Sequence, residues 1–320
     1  MNAAKMKVFC KRVFFSLLLP VFIYAVMSVL RPDIYLKGST FVTLVRQSIT
    51  YTLVGWSMLF GMSCGLFDFS VGARYLLAAM TGIWLSQFWG VAGFVIGTVG
   101  GSVILAALTG GIYAGLKIPS IITGFSALLI FEAVSVMFRN TFKLIVTDEI
   151  SVFARGNGLY FTALFTGILV YILFNYTKFG YQIKAIGGNE KVACSMGIKA
   201  VQLKLLTYIV GGLILGLAAL AKVGSDQAVS PSTNMASMSA AFTPMMGVMI
   251  GMYLSSCNPV IGTWIGAFCI AVVASALTAL GIDYRLQNVV IGVFLIIFIG
   301  FRTNMVSIER LFGWKKAVKA

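Results

Sequence analysis

Apolar stretches broken by short polar connections recur along nearly the whole length of this chain, and they leave few options for what it can fold into. They run over Val13–Leu30, Ile49–Gly65, Val71–Trp89, Val91–Leu116 and Ile121–Phe138, then Leu159–Phe174, Leu205–Ala221, Ala240–Leu254, Val260–Leu280 and Val289–Phe301. A helix that crosses the bilayer core needs roughly 20 mostly apolar residues. Of the 320 residues, 59% are hydrophobic and 10% charged, whereas a soluble domain carries about a quarter charged residues. No soluble core buries such an excess. The pattern predicts an all-α, polytopic integral membrane bundle of about ten transmembrane helices. Residues 1–301 form a single transmembrane domain, 302–320 a basic tail, and no length remains for a large soluble domain.

The formal charge of +15 raises the question of nucleic acid, and the positions of the cations answer it. With the N-terminus in the cytoplasm, the inner segments hold Lys5, Lys7, Lys11, Arg12, Arg74, Lys117, Lys178, Lys184, Lys191, Lys199 and Lys204, then Arg302, Arg310, Lys315, Lys316 and Lys319. The outer segments hold the smaller set Arg31, Lys37, Arg46, Arg139, Lys143, Arg155, Lys222 and Arg285. This asymmetry obeys the positive-inside rule with both termini cytoplasmic, so the basic excess reads as topology rather than nucleic-acid binding. The first stretch follows a cationic segment as a signal peptide would, but it is long and lacks a small-residue cleavage site, so it is read as a retained helix. The five cysteines are scattered singly and there is no His, so neither a metal centre nor a disulfide framework is expected.

Small residues recur four apart at Gly93, Gly97 and Gly101, at Gly212 and Gly216, at Gly247 and Gly251, and at Gly262 and Gly266. In lipid such faces let helices approach closely, and this packing reading is preferred to unwinding around a substrate. Residues 139–158 mix charges on the outer side and form either a docking surface, through Arg139, Asp148, Glu149 and Arg155, or a bland solvated loop. The stretch from Gly224 to Ser239 is Ser-rich and broken by Pro231, which suggests an outer or re-entrant connection. Residues 177–204 form the one sizeable inner connection and read as a short capped helix. Gly187 and Gly188 give a flexible lead-in, Asn189 an N-cap, Glu190 a negative charge at the positive dipole end, and Gly197 a C′ residue. Val192, Ala193 and Met196 are expected to share one face. So short a helix is unstable alone in water and must lean on its own bundle or on another subunit.

Gly65-Leu66-Phe67-Asp68-Phe69-Ser70-Val71-Gly72 is similar to the Gly-x-x-Asp-Leu-Ser-Val-Gly motif of the permease subunits of ribose-type (simple-sugar) ABC importers, a group that belongs with the branched-chain amino acid permeases. Ala185-Ile186-Gly187-Gly188-Asn189-Glu190 with Gly197-Ile198 resembles that family's cytoplasmic coupling segment, and Pro119 with Ile122 and Thr123, and Gly262-Thr263 with Gly266-Ala267, add lesser matches in the same order. The resemblance implies a transport subunit in the bacterial plasma membrane that binds no cofactor itself, with ATP and Mg on partner ABC ATPase subunits. It further implies a second permease subunit, identical or unlike, and an extracellular solute-binding protein, all assembled in membrane lipid. It assigns ATPase coupling to Gly187, Gly188, Asn189, Glu190, Val192, Ala193, Met196 and Gly197. Cys194 and Met196 stand where the family has Arg and Ser, and Glu132 where it usually has a basic residue; these departures suggest a divergent member.

Charge inside a bilayer costs on the order of 3 kcal/mol per residue, so intramembrane acids are functional candidates. Asp68 serves either to cap the third helix or to gate. Glu132 takes part either in an internal ion pair or in lining the pathway. Asp283 is read as an outer-loop pair with Arg285. Phe67, Asp68, Phe69, Ser70, Thr123 and Glu132 are the pathway or gating candidates. The aromatic rings of Phe67, Phe69, Trp56 and Trp84 suit solute stacking, but packing explains them as well. The expected function is the permease of an importer for a small polar solute, such as a sugar or nucleoside-like compound. An autonomous ion-coupled secondary transporter is the alternative, although the chain has few intramembrane acids and no His to carry protons. A membrane enzyme finds no catalytic cluster to support it.

Overall fold

In the computed structural model the described residues are 20–147, 150, 157–226, 229–253 and 258–283, with 286, 287, 289, 290, 292, 293 and 296. Their order is α1 (Pro20–Leu30), α2 (Pro32–Tyr35), α3 (Gly38–Ser63), α4 (Val71–Leu116), α5 (Ser120–Thr141), α6 (Gly158–Tyr176), α7 (Lys178–Gly188), α8 (Glu190–Ser195), α9 (Ala200–Asp226), α10 (Ser237–Tyr253) and α11 (Pro259–Ala279). The described residues contain no strand. Five helices are long and apolar enough to cross a membrane: α4, α5, α6, α9 over Ala200–Ala221, and α11. Residues 13–19, most of Val289–Phe301 and the tail 302–320 lie outside the described residues.

The two apolar stretches predicted over 71–116 are one element interrupted at Trp89 and Gly90, where the backbone leaves the helical region and Gly90 adopts φ 56° and ψ −138°. A side chain at such a φ is strained, so glycine is what lets the chain fold back without a loop. The halves then pack on each other: Gly93 lies against Leu85, Gly97 against Thr81 and Gly82, and Gly101 against Thr81. Elsewhere Gly212 and Gly216 of α9 lie on Ala106 and Val99 of α4, and Gly247 and Gly251 of α10 cross Gly262 and Gly266 of α11. None of these glycines has a positive φ. They are present for close approach, as the packing reading expected.

Helix α3 begins at Gly38, eleven residues before the apolar stretch at Ile49, so Arg46 is helical rather than in a loop. The early start follows from α2 handing the chain over directly, with Thr40 N–H and Oγ1–H bonded to the Lys37 and Ile34 carbonyls. Arg74, counted among the loop cations, lies in the first turn of α4 with 3% of its surface exposed, so it contributes nothing to the loop charge asymmetry.

Cross-chain bonds sort the helix ends into two groups. Asn258 at the start of α11 donates to Asn175 near the end of α6 at 2.8 Å, and Gly187 packs on the Ser63 carbonyl at the end of α3. At the opposite end Arg31 Nη1 donates to the Ala279 carbonyl at 2.7 Å, and Gln87 bonds the Lys143 carbonyl. This is the pairing that alternate crossing of a membrane requires.

The described part of the connection between α9 and α10, residues 229–236, leads into a helix that starts against α4 and α5. Val229 is buried, Asn234 and Met235 take left-handed φ values of 57° and 62°, and α10 starts at Ser237, whose carbonyl lies against Gly72. Its N-terminus is held by Glu132, the thirteenth residue of the 22-residue α5 and therefore near the middle of the bundle. The Glu132 carboxylate accepts from Met235 N–H at 2.9 Å, Ser237 N–H at 2.9 Å and Ser237 Oγ–H at 2.6 Å. Among the described residues Glu132 has no cation partner, so the internal ion pair considered for it gives way to two backbone amides and the Ser237 hydroxyl, and the helix dipole supplies positive potential.

Two outcomes follow from this packing. Glu132→Leu leaves the buried Ser237 N–H and hydroxyl without their acceptor and should lower stability by about 2 kcal/mol, while Glu132→Gln should cost less because one oxygen still accepts; thermal unfolding of the purified chain in nanodiscs ranks them. Gly251→Val should cost about 1–3 kcal/mol by forcing α10 from α11, whereas Gly111→Val, at a position with nothing within 4 Å, should leave the midpoint in place.

Candidate functional site

The segment 177–204 contains two helices, not one. Thr177 caps α7, its Oγ1 accepting from Gly180 N–H at 3.2 Å, and Gly187 and Gly188 end that helix. The flexible lead-in expected of these glycines is corrected for Gly187: a Cβ there would overlap the Ser63 carbonyl, so glycine seats α7 on the end of α3. Asn189 then caps α8, Oδ1 accepting from Val192 N–H at 3.2 Å. Gly197 at φ 89° closes it: Gly197 N–H bonds the Cys194 carbonyl at 2.9 Å and Ile198 N–H the Ala193 carbonyl at 3.2 Å, the Schellman arrangement. Glu190 lies in the first turn and also pairs with Lys204 of α9 at 2.8 Å.

Val192, Ala193 and Met196 do not share a face. Ala193 is 2% exposed and packs into the bundle, while Val192 and Met196 are 54% and 79% exposed. One residue turns the helix by about 100°, which separates Ala193 from Val192, and Met196 lies beyond the last helical residue, Ser195, as the C-cap. The outcome is a rigid element of six residues, anchored by Ala193 and presenting two apolar side chains outward. A link invisible in the sequence ties it to the bundle: Lys184 of α7 donates to Asn175 Oδ1 at 3.2 Å, and Asn175 also accepts from Asn258. Lys184 Nζ sits 4.4 Å over the Phe174 ring, and burial there lowers its pKa from the ordinary lysine value.

The other candidates meet where the α3–α4 connection touches α5 and α10. Phe67 N–H donates to Ser120 Oγ at 3.2 Å, and Gly124 lies against Asp68 and Phe69. The Phe69 ring stacks on Phe125 at 4.7 Å and on Phe242 of α10 at 6.5 Å. Thr123 is buried, its hydroxyl donating to the Pro119 carbonyl at 3.3 Å. Asp68 Oδ1 accepts from Ser70 N–H at 2.9 Å and Ser70 Oγ–H at 2.6 Å, which orders the chain just before α4; Ser70 is itself the N-cap residue and no side chain caps the first turn, so the capping considered for Asp68 is not formed. Its Oδ2 takes Arg74 Nη2 in an ion pair whose side chains are 13% and 4% exposed. Sequence reading missed that pair, although Arg74 lies inside the apolar stretch beginning at Val71 and so was never in a loop of its own.

Trp56 donates its indole N–H to the Val260 carbonyl at 2.9 Å, and Trp84 packs among Phe88, Phe138 and Phe142, so both are packing residues. A cavity of about 490 Å³ between α3, α6 and α11 is lined almost wholly by apolar atoms of residues such as Leu164, Ile168 and Trp264. It offers a polar solute no set of hydrogen bonds. Of the proposed docking residues, Arg139 is exposed in the last turn of α5. Asp148, Glu149 and Arg155 lie outside the described residues, as does Arg285, the partner suggested for Asp283.

Residues 40–299 match the family described as the branched-chain amino acid transport system / permease component. The ribose import permease protein RbsC of Bacillus subtilis (strain 168) is 27% identical over 295 residues, covering 85% of this chain and 87% of that protein. RbsC of Escherichia coli (strain K12) is 23% identical, covering 88% and 91%. The D-allose transport system permease protein AlsC of the same strain is 25% identical, covering 84% and 85%. With its helices, its motifs and four-fifths of its length in agreement, the chain belongs to the family of branched-chain amino acid transport system permease components.

Proposed function

We propose that this chain is the membrane-spanning subunit of an ATP-driven importer for a small polar solute of the sugar or nucleoside class. Ten helices cross the bacterial plasma membrane with both termini in the cytoplasm, and the solute moves inward by alternating access. ATP and Mg are handled by partner ABC ATPase subunits. A second permease, identical or unlike, completes the membrane core, and an extracellular solute-binding protein delivers the solute.

The observation that carries this reading is α8. Its caps make a helix of six residues rigid, Ala193 seats it on the bundle, Gly187 seats the preceding α7 on α3, and Val192 and Met196 are exposed. An exposed apolar pair on a pinned element suits insertion into a groove of another protein. The Phe67–Ser70 segment, joined to α3 at the point where Gly187 rests, then lies one connection away from the motor contact.

Met196→Glu should leave stability within about 0.5 kcal/mol because the side chain is exposed, yet weaken co-purification with the ATPase subunit several-fold. Asn189→Ala combined with Glu190→Ala should loosen the α8 N-terminus by about 0.5–2 kcal/mol and lower the solute moved per ATP in proteoliposomes. Unchanged association and stoichiometry in both would count against the coupling role. Uptake sustained by an ion gradient with no ATPase present would favour the secondary-transporter reading.

A further inference from the structure

The Arg74 side chain is nearly fully enclosed, and only Nη2 is spoken for, by Asp68. Its Nε and Nη1 atoms and the Tyr208 hydroxyl, on a residue 5% exposed, have no hydrogen-bond partner among the described residues. All three belong to residues lining one void of about 30 Å³ between α3, α4 and α9. Ser57 and Thr207 line it too; their hydroxyls donate to the Val54 and Leu203 carbonyls at 2.6 and 2.8 Å, which leaves their lone pairs free to accept. A space of this size holds a water molecule, which needs only about 10–15 Å³, and a buried water ordinarily makes two to four hydrogen bonds.

We propose that this void is a built water site, in which a water accepts from Arg74 and Tyr208 and donates to the hydroxyl oxygens of Ser57 or Thr207. The donor set alone would also suit a halide. The Asp68 carboxylate lines the same void, however, and already neutralises Arg74, so an anion would bury an uncompensated negative charge. Water adds none. The site lies where the α3–α4 connection meets α9, and the water lets a guanidinium with a single protein partner remain buried at that junction.

Hydroxyl-radical footprinting of the full chain in nanodiscs tests this, because radicals formed from bound water oxidise neighbouring side chains that bulk solvent does not reach. Met58 and Met62, 5% and 8% exposed, line the void; Met245 at 6% is the burial-matched control and Met246 at 1% a more enclosed one, and neither lines it. Met58 and Met62 should be oxidised several-fold faster than Met245 and Met246. Tyr208→Phe, which keeps the ring beside Tyr113, should slow that oxidation without changing the control pair. Equal rates for the two pairs in the native chain would show the void to be dry and overturn the proposal, with no variant needed. A rate that changes when chloride is replaced by gluconate would identify an anion and overturn it equally. Neither outcome depends on whether an ATPase binds the chain.

Discussion

Lipid supplies no hydrogen bonds, so each polar group this chain carries into the bundle must find its partner inside the protein. Glu132 is the clearest case. Its carboxylate sits at mid-height in α5 and takes the two amides and the hydroxyl at the start of α10. Without that acceptor the buried Ser237 N–H at the start of α10 would be bare, a cost that burial makes larger than water would. The left-handed backbone at Asn234 and Met235 and the placement of Ser237 against Gly72 lie beside it. Asp68 stands just before α4, bonding Ser70 and pairing with Arg74 of its first turn.

Around these polar anchors the helices are held by contact. Because lipid tails are as apolar as leucine, helix association gains from close van der Waals approach rather than from expelling water. The glycines of α4, α9, α10 and α11 supply that approach on the faces where they recur. The two effects work together: α10 is fixed along its length by Gly247 and Gly251 against α11, and at its tip by Glu132 of α5. A shift of α10 must break one or the other.

The segment carrying α7 and α8 joins this framework through small, specific contacts: Gly187 on Ser63, Glu190 on Lys204, and Lys184 with Asn258 on Asn175. These reach the ends of α3, α9, α6 and α11. A force applied to α8 is therefore shared among several helices, while Val192 and Met196 remain available outward. That distribution suits a permease moved by a separate motor, the reading adopted for a member of this family.

Much of this was legible in the residues. The apolar runs announced helices because burial in lipid needs length and little else, and the Asn189 and Gly197 caps were readable because capping is local chemistry acting over a few residues. The glycine faces were readable for the same reason, since a four-residue spacing is a property of one helix. What the sequence could not disclose were partners distant along the chain. Whether Glu132 meets a cation or an amide, whether Arg74 ends in a loop or against Asp68, and whether Gly187 bends or packs are decided by which helix lies opposite. Local propensity and hydropathy determined that this chain crosses the membrane in helices and where α8 begins and ends. Only the tertiary structure decided which polar groups satisfy one another, because in a medium without hydrogen bonds that pairing is set by the three-dimensional arrangement of the helices.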